Sequence, residues 1–134
     1  MKIKKLLKIF FIIIVIFVLL IIGIRCYFRI NFKNSIVEFE EYGVLIENSN
    51  DMEPEIYKNE LIIIKNLKEY DLDDIVAYVN FNNNLLIRRI VQIDEYGFIS
   101  RADNNSFVEP DEEIDRIKGK VVYHSKILGK IFNW

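Results

Sequence analysis

The chain has 134 residues, 51% hydrophobic and 28% charged, with a formal net charge of −2, a length that suits one domain and leaves no room for a second core. Seven of the 18 Lys+Arg (Lys2, Lys4, Lys5, Lys8, Arg25, Arg29, Lys33) precede residue 35 and all 20 Asp+Glu follow it, so residues 35–134 carry a net charge of −9; nucleic-acid binding, which needs a basic face, is not expected. Cys26 is the only cysteine and His124 the only histidine, which excludes an intrachain disulfide and a Cys-rich zinc site and argues against metal or cofactor chemistry.

From Ile9 to Ile24 no side chain is polar. Those residues make about 24 Å of helix against a hydrocarbon core of roughly 30 Å. Leu6 and Leu7 before them, and Cys26, Tyr27 and Phe28 after them, extend the apolar rod while Lys8 and Arg25 snorkel. The remaining 100 residues could not wrap so uniformly apolar a helix as a soluble core. A cleaved signal peptide requires small residues at its cut site, whereas this segment runs into IRCYFRINFK. An uncleaved anchor is the reading that remains. Residues 1–34 are then a cytoplasmic tail, a transmembrane helix and a juxtamembrane linker, and residues 35–134 an extracytoplasmic domain. Four N-terminal lysines, the α-amino group and the short tail favour a cytoplasmic N-terminus in the cell membrane. Cys26, at the membrane boundary, reads as an apolar filler.

Beyond residue 35 the apolar residues fall in short β-branched groups: Ile36-Val37, Val44–Ile46, Leu61–Ile64, Ile75–Val79, Leu85–Ile87, Ile90–Ile93, Phe98-Ile99 and Val121–Tyr123. Turn-forming stretches separate them, including Asn48-Ser49-Asn50, Asn82-Asn83-Asn84, Asp94–Gly97, Ala102–Asn105 and Glu109–Asp111. No window sustains a 3.6-residue period, and Lys65–Asp74 suits one helical turn or a plain connection. The pattern predicts a mainly β protein: one N-terminal transmembrane helix, then a small, mostly antiparallel domain curled towards a barrel. The acidic run Glu109, Asp111, Glu112, Glu113 and Asp115 reads as a solvated loop, and His124 as an ordinary strand residue.

Four segments then stand out in order: Ser49-Asn50-Asp51-Met52-Glu53-Pro54, Ile87-Arg88-Arg89-Ile90-Val91, Ala102-Asp103-Asn104-Asn105 and Gly119-Lys120-Val121-Val122. In order, spacing and surroundings they resemble the type I signal peptidase family, whose boxes are Ser-x-Ser-Met-x-Pro, Lys-Arg or His-Arg before a β-branched pair, and Gly-Asp-Asn. The resemblance covers essentially the whole chain, anchor included. It implies a β domain of signal-peptidase type that binds its substrate as an added strand along a sheet edge.

The resemblance also implies a serine nucleophile and a lysine or histidine base, and both places are altered. Asp51 stands immediately before Met52, and Arg88 immediately before Arg89. A serine hydroxyl attacks an amide only when a neutral amine or imidazole takes its proton. An arginine stays protonated in a protein, so Arg88 cannot serve as that base. A carboxylate in the nucleophile's place is feeble towards an amide. The expected result is a pseudoenzyme with no catalytic residues, in which Asp51 and Arg88 form a bidentate ion pair that fills the former active site. Ser49 keeps the place of an oxyanion-supporting serine. Met52 and Pro54 are expected to fix the turn after Asp51, and Asp103 to contact Arg88 or Arg89 as scaffold, with Asn104 beside it at the former active site.

Inactive relatives of this kind occur in Gram-positive pilus assembly as chaperone-like partners of pilin subunits and their sortase, and an aspartate at the nucleophile position is similar to theirs. The expected function is therefore a membrane-anchored, non-catalytic factor that binds an exported protein, with pilin polymerisation the foremost setting. Two alternatives stay open: a surviving peptidase with Asp51 and Asp103 as an aspartic-type dyad, and a subunit or inhibitor lending its anchor and edge strand to an active relative. The oligomeric state is not legible.

Overall fold

The computed structural model describes residues 1–31 and 36–132; the expected boundary between anchor and β domain, at residues 34 and 35, lies outside them. The first element, α1 (Lys2–Asn31), contains an apolar stretch, Lys2–Tyr27, long enough to cross a bilayer, and none of that stretch is buried against protein. Nothing in the sequence breaks it. Gly23 is its one weak helix former, and no atom lies close to it.

The remainder is an antiparallel sheet of eight strands: β1 (Val37–Phe39), β2 (Tyr42–Ile46), β3 (Leu61–Lys65), β4 (Ile75–Val79), β5 (Leu85–Ile93), β6 (Gly97–Arg101), β7 (Glu112–Glu113) and β8 (Ile117–Ser125). Their order in the sheet is β1-β2-β3-β8-β4-β5-β6-β7. A mainly β domain behind one apolar helix is therefore what the chain forms. Among the described residues no ladder joins β1 to β7, so the curl does not close by hydrogen bonds. Side chains show the curl instead: Leu45 of β2 and Ile87 of β5 share one core cluster with Ile62, Ile64 and Ala77, although three strands separate β2 from β5 in the sheet.

Strand alternation divides the core in two. Ala77 faces that first cluster, which Met52 and Ile56 complete. Val76 and Tyr78 face the second, with Ile90, Phe98 and Ile117. There the Tyr78 ring meets Phe98 edge-on at 5.0 Å, and its hydroxyl shares a hydrogen bond of 2.9 Å with Ser100 Oγ; burial pushes the phenol pKa up to about 12.

Several local expectations need correction. Leu85–Ile87 and Ile90–Ile93 are one strand, because Arg88 and Arg89 continue the extended backbone rather than interrupt it. Of the two readings left open for Lys65–Asp74, the plain connection is the one that forms, with Lys65 ending β3. A short 3-10 helix (Ile114–Arg116) and a second α-helix, α2 (Lys126–Phe132), were not foreseen. Leu128 and Phe132 of α2 pack on Ile46 and Leu61. The Asn82–Asn84 turn is as expected: Asn80 Oδ1 accepts from the backbone N–H groups of Asn82 and Asn84, and Asn83 takes a positive φ of 61°, which asparagine tolerates.

Candidate functional site

The turn after β2 and the first half of β5 meet across a groove of about 370 Å³, lined by Ile46, Glu47, Ser49, Asp51, Leu85 and Arg88 among others. Its two walls are unfinished sheet edges. β1 pairs with β2 only through residues 42–44, and β6 pairs with β5 only from Arg89 onward. Glu47 continues the ladder towards β3, its N–H donating to Glu60 O and its carbonyl accepting from Asn59 N. Ladder alternation then turns the backbone of Ile46 to the other side. On β5, Ile90 exchanges bonds with the 73–74 backbone on the β4 side, so Leu85 and Ile87 present theirs away from β4. Two half-edges thus face one space.

Arg88 closes one end of that space. It is buried, 7% exposed. Its Nη2 donates to Asp51 Oδ2 at 2.8 Å, its Nε to Glu109 Oε1 at 3.0 Å, and its Nη1 to the Ile87 carbonyl at 2.8 Å. The expected pairing of Asp51 with Arg88 is present, but it is not bidentate. The guanidinium bridges two carboxylates, and the deeper is Glu109: its side chain is 12% exposed against 38% for Asp51. Glu109 and Glu112, both expected in a solvated loop, are instead largely covered; Glu112 is 4% exposed and accepts from the Phe81 N–H.

A bidentate pair does occur one residue further along. Arg89 donates through Nε and Nη2 to the two oxygens of Asp103, at 2.9 and 2.8 Å. These bonds, above all, hold the Arg89 pKa up. Strand alternation puts Arg89 on the other face of β5 from Arg88, so Asp103 scaffolds Arg89 and not Arg88. Asp51 and Asp103 are each held by a different arginine, and among the described residues no hydrogen bond joins them; a proton shared between the two has no geometric support here.

The other residues named from the sequence lie around the turn. Met52 is fully buried in the first core cluster and anchors the turn from below; Pro54, after a cis peptide bond, is exposed. Asn104 clips the 102–105 loop onto the turn, its N–H donating to Asp51 O at 2.8 Å and its Nδ2 to Asn50 O at 2.9 Å. Ser49 does not present a free hydroxyl to the groove. Its Oγ and its N–H both donate to Glu47 Oε1, at 2.9 and 2.8 Å.

Glu47 itself escaped the sequence reading. It is 4% exposed, and among the described residues its second oxygen, Oε2, has no hydrogen-bond partner. Burial raises its carboxyl pKa above 4.5, opposed by the Ser49 bonds and the nearby Arg88 charge. His124 likewise has a partner that sequence did not reveal: its Nδ1 lies 2.7 Å from the buried Glu60 Oε2. Only one signal in the sequence pointed to Glu47, its position directly after the apolar run Val44–Ile46.

No protein-family model matches the chain, and no curated protein matches it.

Proposed function

We propose that this chain is a membrane-anchored, catalytically inactive relative of type I signal peptidases that holds an extended segment of an exported protein, with a pilin subunit the foremost candidate. The observation that carries this reading is the pair of half-edges facing one groove, with Asp51 and Arg88 ion-paired at its end. An extended chain laid there adds a strand, and backbone hydrogen bonds supply affinity without any catalytic group. Arg88 stays cationic and engaged by two carboxylates, so nothing at its position can take a proton from a nucleophile. In this reading α1 crosses the cell membrane once, the N-terminus is cytoplasmic, and the β domain works outside.

The test is incubation of the purified full-length chain, in detergent micelles, with a signal-peptide-bearing preprotein and with a pilin subunit. The expected outcome is complex formation with no cleavage product. Turnover that Asp51→Asn abolishes would establish an atypical peptidase instead. Restoring the family's dyad with Asp51→Ser/Arg88→Lys is also expected to give no turnover near neutral pH, because Glu109 stays beside the new amine and favours its charged form.

A further inference from the structure

The helix α2 is apolar on two sides. Leu128 and Phe132 pack on Ile46 and Leu61, and Gly129 is buried against the backbone of Asn59, Glu60 and Leu61. Ile127 and Ile131, four residues apart, share a different face of the helix and are 72% and 47% exposed. Exposed isoleucines need no explanation on a soluble surface; what decides here is where this helix sits. It touches α1, and Phe132 lines one recess together with Ile22, Arg25, Cys26 and Arg29. Those α1 residues straddle the end of the apolar run Ile9–Ile24, the level at which a spanning helix passes from hydrocarbon to headgroups. Ile127 lies five residues before Phe132, so it is no more than about 7.5 Å along the helix axis from that level. The headgroup layer on each side of a bilayer is roughly 5–8 Å deep. The exposed isoleucines therefore stay within reach of that layer at any tilt of α2. Charge favours the same partner. Residues 35–134 carry a net charge of −9, and an anionic leaflet repels most of such a surface. In contrast α2 has no acidic residue; its charged groups are Lys126 and Lys130, both exposed. Lys126 is engaged over the Tyr57 ring, 3.4 Å from its centroid, which leaves Lys130 as the cation nearest the two isoleucines that can turn to a headgroup.

We propose that α2 is a second membrane contact: Ile127 and Ile131 enter the acyl boundary of the leaflet in which α1 ends, and Lys130 reaches that leaflet's headgroup phosphates. This rests on α1 spanning the bilayer and is independent of strand binding in the groove. A helix lying in the interface binds through its buried apolar area and its attraction to anionic lipid. Seven residues are too few to hold by themselves, but α1 already tethers α2 beside the bilayer, so the contact is intramolecular in effect and needs little affinity of its own.

The test places the full-length chain, in a Cys26→Ser background, in nanodiscs of phosphatidylcholine and phosphatidylglycerol. A fluorophore is attached to a single cysteine at Ile127→Cys, at Glu95→Cys in the exposed turn between β5 and β6, or at Ile16→Cys in the middle of the apolar stretch of α1. Lipid carrying a nitroxide near the top of its acyl chain is the quencher for the first two, and lipid carrying it near the chain end for the third. The expected result is that Ile127→Cys loses most of its emission while Glu95→Cys keeps its own. Equal quenching at these two positions, or a greater loss at Glu95→Cys, overturns the contact. An unquenched Ile16→Cys would show instead that α1 does not span, and the inference would fall with the anchor. Adding Lys130→Glu to Ile127→Cys should weaken the quenching in these nanodiscs and not in nanodiscs of phosphatidylcholine alone. An equal effect in both lipids, or none in either, removes Lys130 from the contact and leaves the isoleucines. Because Leu128 and Phe132 hold α2 on the domain, Ile127→Cys should keep the thermal midpoint of its Cys26→Ser parent, which ties the quenching to the folded chain.

Discussion

Arg88 shows how unequal two apparently similar ion pairs can be. Its side chain is 8% exposed, while its partners Glu109 and Asp51 are 12% and 38% exposed. Water screens the Asp51 contact, so losing that carboxylate costs little, about 1 kcal/mol or less. Losing Glu109 removes the sheltered counter-charge from a buried guanidinium, which costs about 3 kcal/mol. Urea midpoints of the detergent-solubilised chain should therefore fall much further for Glu109→Ala than for Asp51→Ala, and equal midpoints would refute this ordering. Glu47 gives a second test, through pH. Burial, the main cause, raises its carboxyl pKa above 4.5 in the folded state, so the folded chain keeps a proton that the unfolded chain releases first. Stability from this group is present at low pH and declines as pH rises from about 4.5 through the folded value. The thermal midpoint of Glu47→Gln relative to wild type should accordingly rise between about pH 4 and neutrality; a difference that does not change with pH would mean Glu47 is solvated.

At the level of elements, α2 depends on one small residue. A Cβ added at Gly129 would run into the Asn59 carbonyl oxygen and come within 2.9 Å of Glu60 Cα and Leu61 N. These are backbone atoms and cannot swing aside. Gly129→Ala should lower stability by about 2–3 kcal/mol and loosen α2 from Ile46 and Leu61, which trypsin would report as faster cleavage after Lys126 and Lys130. Ile127→Ala, at a side chain 72% exposed, should leave the cleavage rate unchanged. The same element explains where the sequence ceased to be legible. β-branched runs marked most strands, with Ile75–Val79 matching β4 residue for residue. The helix Lys126–Phe132 has only seven residues, too few to express a 3.6-residue period, and β7 is two glutamates with no apolar pattern. Asp51 and Arg88 could be placed together from the order of the boxes. Glu47 and Glu109 could not, because burial of a carboxylate is a property of the tertiary fold and leaves no trace in local composition.

Over the whole molecule, charge and hydropathy are arranged along one direction. The apolar stretch Lys2–Tyr27 has four lysines at its start, and residues 35–134 carry a net charge of −9. An acidic domain tethered at a membrane attracts a basic segment from a distance and accelerates encounter, an effect that salt weakens within about a Debye length of 10 Å at 0.1 M. Steering of this sort is useful only if the acidic domain and its partner lie on the same side of the bilayer. The proposed topology, with the N-terminus in the cytoplasm and the β domain outside, rests on the positive-inside bias. Single cysteines in a Cys26→Ser background test the assignment. A membrane-impermeant maleimide added to intact cells should label Glu95→Cys, at the exposed turn between β5 and β6, and should reach Lys2→Cys only after permeabilisation. The reverse pattern would put the groove in the cytoplasm, where no exported segment could occupy it after translocation, and the proposed function would fall with the topology.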